Sequence, residues 1–488
     1  MNIQTKWIIA LFAVCCSLAC ESDDDTSEST EKEIIVSGTA DFSTYVALGN
    51  SLAAGYTDGA LFKAGQDHSL PNILSGQFAL AGGGKFTQPI TNDNIGGITL
   101  GGNIIGSPRL YFYSDPNPEP PNESGPRVLD AIPTTEVSTL VTGPFNNLGV
   151  PGAKSYHLLA EGYGNVSGVA TGQANPYFAR MASSSNASVL GDALVQNPTF
   201  FTLWIGNNDV LGYALSGGDD SDAITDITLF TQAYTGLVNG LTENGASGVL
   251  YSIPNITTIP HFTTVPYNPV PMDEATATQV NQGYANYNGG LIQVEGLGAI
   301  SAEERVARTI VFKEGTNAVV IVDEDLTDLS AYGLPKYRQA TKEDLLILPS
   351  SSFIGTAVDN DPTMINGVSV PLEDKWVLVA SEQQNIADAT MQFNAVIKGA
   401  VDQNDLAFVD AAGLLEEIDN GGITFDNFEL QSNLVFGGAF SLDGVHPTAR
   451  GYAYLANKTL EVINTKYGAN LPLVKAVDYP LFYSEKLR

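Results

Sequence analysis

Ser51, Asp443 and His446 are a hydroxyl, a carboxylate and an imidazole, the three groups that acyl transfer uses. That chemistry needs a nucleophile, a base beside it, a group that orients the base, and donors for the developing oxyanion. Ser51 suits the nucleophile and His446 the base. Asp443, three residues before His446, suits the orienting role. Donors are on offer in the backbone of Ser51, in the glycine turn at Gly152, and in the side-chain amide of Asn208. Ser51 also has a plainer reading, as the N-cap of an ordinary strand-to-helix turn.

These residues sit at the ends of elements that the pattern predicts. Tyr45 to Gly49 is a short apolar run of the kind a buried strand needs, and it breaks at Gly49-Asn50-Ser51. A strand ending there puts Ser51 at the C-terminal edge of a sheet, where open α/β sheets bind ligands. Phe145 to Gly149 predicts a second short strand, closed by the turn that carries Gly152. Thr199 to Ile205 is β-rich and aromatic, and it ends in Gly206-Asn207-Asn208-Asp209. A helix over 223–243 and a strand over 248–253 complete a strand–helix–strand unit of the parallel type. Helices are also expected over 69–81, 381–401, 411–418 and 448–467, with a strand over 406–409. The class is α/β: a parallel β-sheet sandwiched by helices, within a domain over residues 41–470.

Two stretches break the alternation. Residues 82–144 hold repeated glycine pairs and the proline-rich run Ser114 to Pro126. Residues 255–375 hold Pro260, Pro266, Pro269 and Pro271, with a helix expected only over 301–308 and a strand over 319–322. Irregular chain of this length is more often functional than a linker. Both read as large insertions near the active face, the second as an insertion or small subdomain. Residues 471–488 read as a C-terminal tail.

The composition sets limits on partners. With 22 basic against 54 acidic residues and a formal net charge of −32, the surface repels nucleic acid and anionic membrane faces. Lys6 precedes an apolar run, Trp7 to Ala19, that is too short to span a bilayer. Residues 1–19 therefore read as a signal peptide. The run ends Ser17-Leu18-Ala19-Cys20, which resembles a bacterial lipobox, with Ser17 where leucine is usual. Cys20 would then carry the lipid anchor. The acidic Glu21-Ser22-Asp23-Asp24-Asp25 resembles the export signal of Bacteroidetes-type outer-membrane surface lipoproteins, and residues 20–40 read as a flexible acidic tether. All three cysteines lie in this leader region, so the domain is expected to have neither a disulfide nor a Cys-bound metal.

The motifs, taken in order, resemble the SGNH, or GDSL, hydrolase family. Its first block stands here as Gly49-Asn50-Ser51-Leu52, followed by Ala53-Ala54-Gly55. The second-block glycine matches Gly152, the third block is Gly206-Asn207-Asn208-Asp209, and the fifth is Asp443-Gly444-Val445-His446-Pro447. Asn50 departs from the family's aspartate. The resemblance spans roughly residues 44–61, 145–160, 198–255 and 380–467, and leaves out both insertions. It implies a flavodoxin-like three-layer fold and a serine esterase or lipase. Catalysis would then rest on Ser51, His446 and Asp443, with Ser51, Gly152 and Asn208 as oxyanion hole and no cofactor or metal. The substrate would be a lipid ester or an acylated glycan. A carbohydrate deacetylase and a surface-binding lipoprotein without turnover stay open as alternatives. Reach between His446 Nε2 and Ser51 Oγ separates the last from the others.

Other residues weigh less. His68 and His157 lie near the motifs in sequence, and His261 sits in a proline-rich loop; packing or surface roles are expected for all three. Asp209 reads as a turn residue or N-cap. The run Asp219-Asp220-Ser221-Asp222 is dense in oxygen ligands but lacks a full calcium-loop pattern. Tyr251, Phe262, Tyr267 and Trp376 serve equally as pocket floor or as core.

Overall fold

The computed structural model describes residues 34–117 and 123–488. The signal peptide (1–19), the lipidation site Cys20 and most of the tether lie outside the described residues. No described helix is long and apolar enough to cross a membrane.

Five strands make the central sheet: β1 (Tyr45–Gly49), β2 (Asn147–Gly149), β3 (Phe200–Trp204), β4 (Ser247–Tyr251) and β5 (Ala407–Val409). Every pairing is parallel, and the order across the sheet is β2-β1-β3-β4-β5. The strands are nearly continuous apolar runs because helices cover the sheet. Every residue of β1 and β3 is buried. The order reverses between β1 and β3, since the chain first moves outward to β2 and then returns to the other side of β1. At such a switch point the strand ends splay and leave a crevice.

The helices that flank the sheet begin where local caps dictate. Helix α1 (Ser51–Ala54) is capped by Asn50, whose side chain accepts from Leu52 N. Helix α2 (Leu70–Leu80) is capped by Ser69 and carries Pro71 in its first turn. Helix α3 (Asn208–Leu215) follows β3 directly. Helix α4 (Ile227–Thr242) starts four residues later than its periodicity predicts, because Asp226 takes the cap by accepting from Thr228 N and Leu229 N. The 255–375 stretch then supplies α5 (Glu274–Gly296), and regular alternation resumes with α6 (Ala380–Asn404), α7 (Ala411–Asp419) and α8 (Ala449–Tyr467). Helix α2 packs with α8, and α4 packs with α6.

The two insertions differ. The first forms two small hairpins, Ile98–Leu100 with Asn103–Gly106 and Leu110–Tyr113 with Gly125–Val128. The second is more ordered than its sequence suggests. Helix α5 has 23 residues but buries only Ala277, Tyr284, Leu291 and Val294. That spacing, mostly one apolar contact every second turn and interrupted by glycines, leaves little periodic signal. The insertion nevertheless owns two apolar cores, one around Tyr284, Phe312 and Ile321 and one around Leu291 and Leu334.

Both ends of the domain need correction. Residues 36–40 are not free tether: Thr39 N donates to Tyr467 O, and Ala40 is buried. Residues 471–488 are not a loose tail. Leu471, Ala476 and Tyr483 are buried, and the guanidinium of fully buried Arg109 donates to the carbonyls of Tyr483, Ser484 and Leu487. Five acceptors for one buried cation, with Asn94 and Leu110 supplying the others, are what make its burial tolerable.

Candidate active site

Ser51 is the first residue of α1, two residues past the end of β1. The turn is tight because Gly49 has no side chain: a Cβ there would come within 2.4 Å of Trp204 O and 2.9 Å of Ala53 Cβ. This close approach lets α1 leave the sheet edge at once and aims Ser51 Oγ into the crevice.

His446 and Asp443 arrive from the far end of the chain, on the loop before α8. His446 Nε2 lies 2.8 Å from Ser51 Oγ, and His446 Nδ1 lies 2.9 Å from Asp443 Oδ2. Asp443 also accepts from Gly59 N, Ser441 Oγ, Val445 N and His446 N. Burial alone would raise its carboxyl pKa. The His446 charge and these hydrogen bonds outweigh burial and hold it well below the usual carboxylate range. It is therefore ionised, and it orients Nδ1–H toward itself and leaves Nε2 to face the serine.

Four consecutive residues beyond Ser51, Tyr56 to Gly59, grip this loop. The Tyr56 ring packs on the His446 ring at 4.7 Å between centroids. Thr57 Oγ1 donates to Pro447 O, Asp58 N to Ser441 Oγ and Gly59 N to Asp443 Oδ2. Sequence reasoning gave this stretch no role. Its one local signal is the short turn in which Thr57 and Ala60 exchange backbone hydrogen bonds.

The expected oxyanion donors come from three adjacent strand ends. Val150 N donates to Gly49 O, which carries the β2 turn alongside the β1 turn. Gly152 has φ +80°, a conformation that favours glycine, and Asn175 Nδ2 fixes the turn by donating to Pro151 O. Asn208 starts α3 and donates one amide N–H to Ala153 O at 2.9 Å, so its other N–H is available. Among the described residues, neither Ser51 N nor Gly152 N has a hydrogen-bond acceptor. Asn50 links two of these turns, donating from Nδ2 to Asn207 Oδ1 at 3.3 Å, which a carboxylate in its place could not do.

A cavity opens beside the pair. Its wall includes Ser51, His446, Asn207 and Asn208, and the remainder is almost wholly aliphatic or aromatic.

Other expectations resolve as packing. His68 Nδ1 meets Tyr483 Oη, and His157 Nδ1 accepts from Lys154 N with its ring stacked on Tyr163. His261 lies behind the Asp443–His446 loop, donating its backbone N–H to Gly444 O; burial first of all lowers its ring pKa to about 4. Asp209 does more than start a helix. Its carboxylate accepts from Ser155 N and Ser155 Oγ, which ties α3 to the chain leaving Gly152. Tyr251 and Phe262 are core, and neither they nor Tyr267 and Trp376 line the cavity; Trp204 does. Away from the site, Glu324, Asp374 and Glu382 bring carboxylate oxygens within 4.8 Å of one another. Burial, then the neighbouring carboxylates, push Glu382 up to about 8.

Comparison of the chain with models of known families, with curated proteins and with solved structures finds no match.

Proposed function

We propose that this protein is a serine hydrolase of the SGNH type that cleaves carboxylic esters. The observation that carries the reading is the continuous relay from Ser51 Oγ through His446 to Asp443, with separations of 2.8 and 2.9 Å. His446 Nε2 takes the Ser51 proton as Oγ attacks the ester carbonyl. The oxyanion of the tetrahedral intermediate is met by Ser51 N, Gly152 N and the free Asn208 N–H. Collapse expels the alcohol, which takes the proton from His446 and leaves an acyl group on Ser51. Water, deprotonated by the same imidazole, then releases the acid. Asp443 holds the imidazole in the required tautomer throughout.

The reach between His446 and Ser51 favours turnover over a binding scaffold without it. Anchoring through Cys20 would place this activity at the outer-membrane surface.

The test is hydrolysis of 4-nitrophenyl esters by the full chain and by Ser51→Ala. Turnover that disappears in the variant supports the reading. A folded chain that hydrolyses none of these esters overturns it.

A further inference from the structure

The cavity at Ser51 has a shape and a chemistry of its own. One wall is a stripe of α7: Ala411, Leu414, Leu415 and Ile418 recur at helical spacing and all face it. Helix α8 adds Gly451, Tyr454 and Leu455 to the lining, again one helix face. Among the described residues, no Asp, Glu, Lys or Arg lines it, and its titratable rings are those of Tyr454 and His446. The free space is about 840 Å³ counted with the solvent at its opening. Its lining along α7 and α8 makes it an apolar slot. Along the α7 stripe the hydroxyls of a sugar ring would lose water and meet only aliphatic side chains. A straight alkyl chain loses nothing there and gains with every CH₂ it buries.

The helix stripe also sets a length. Ala411 to Ile418 advances seven residues, or about 10 Å at 1.5 Å per residue. An extended chain advances about 1.2 Å per bond, as in extended polypeptide. The slot therefore spans about eight bonds.

Resting on the ester-hydrolase reading, we propose that the slot lined by α7 and α8 holds the acyl half of the substrate, a linear aliphatic chain of about eight carbons or more. The polar side chains Asn50, Ser51, Asn207, Asn208 and His446 meet the ester, and the chain runs along the α7 stripe. An acetyl group would leave this surface unfilled.

The experiment compares 4-nitrophenyl acetate, butyrate, octanoate and decanoate on the full chain, with Ile418→Trp and Leu414→Trp to block the stripe. A second measurement follows displacement of a fluorescent fatty acid by decanoate from Ser51→Ala, with and without Ile418→Trp. The expected result is kcat/KM at least tenfold higher for octanoate than for acetate. Each Trp variant should lower that ratio at least tenfold, and Ile418→Trp should weaken decanoate binding. Ser51-dependent turnover with acetate preferred, and no change of the ratio in a folded Trp variant, overturns the acyl slot and leaves the esterase standing. Decanoate binding that Ile418→Trp weakens, without turnover of any ester, keeps the slot and overturns the hydrolysis. Neither turnover nor binding overturns both.

Discussion

The backbone N–H of Gly59 donates to Asp443 Oδ2 at 2.8 Å, the same oxygen that receives Nδ1 of His446 at 2.9 Å. The segment after Ser51 and the loop that carries His446 thus share one carboxylate oxygen. Asp443→Asn would replace an acceptor by an amide that must choose between them and would free the imidazole to take the wrong tautomer. We expect kcat to fall by roughly 10²–10⁴. The charged Asp443 also stabilises the fold. Its depressed pKa means that this contribution is present above the ordinary carboxylate range and is lost as pH falls through the folded value. The variant should lose stability at pH 7 but little at the acid end, as thermal unfolding at several pH values will show.

Ser51→Ala and His446→Ala should each lower kcat on an activated ester by roughly 10³ or more, and the double variant should be no worse than the singles. Groups that act through one proton transfer are not additive. Rates for the three variants, with circular dichroism to confirm folding, check this; additive losses would sink the shared-step reading.

Asn208→Ala should lower kcat by roughly 10²–10³ with KM little changed, because the amide serves the transition state. Gly152→Ala is a different case. A Cβ there meets nothing closer than 4.0 Å, so the cost comes from φ +80° and not from a clash. That strain is on the order of 1 kcal/mol and should appear as a small fall in Tm together with a fall in kcat.

Asp58 is buried beside the Asp443–His446 loop, accepting from Leu442 N, and burial above all raises its pKa from 3.8 to about 7. The Leu442 hydrogen bond and Arg109 favour the charged form but are outweighed. Between those two values the folded chain keeps a proton that the unfolded chain has released. Stability therefore falls as pH rises through that window and levels off above it. Asp58→Asn keeps the Oδ1 acceptor and tolerates the positive φ of 51°. We expect a Tm higher than that of the unsubstituted chain at pH 8, by on the order of 2–4 °C, and nearly equal at pH 4. An unchanged pH slope would show that Asp58 is ionised in the fold.

Arg109→Ala should lower Tm by several degrees, because it leaves the carbonyls of Tyr483, Ser484 and Leu487 without their buried donor. Limited proteolysis should then cut first within residues 471–488.

What the sequence by itself determined was local. The strand runs that became β1, β3 and β4, the turns after them, and the caps Ser69 and Thr448 follow from apolar patterning and turn chemistry, which act over a few residues. Ser51, Gly152, Asn208, Asp443 and His446 were legible because each stands in such a turn. Helix α5 was not legible, since its few buried residues meet partners far off in the chain: Gly290 lies against Leu334, and Tyr284 Oη donates to Val368 O. Tertiary structure alone decided that residues 395 apart in the chain stand 2.8 Å apart in space. It also decided that Tyr56 to Gly59 clasp the base loop. It made one face of α7 the wall of a cavity: Leu414 and Leu415 read in sequence like any core leucine, and only the packing of the chain around them leaves space beside them unfilled. Side-chain type and spacing say which face of an element is apolar; whether that face meets a neighbour or a void depends on the long-range packing of the whole chain.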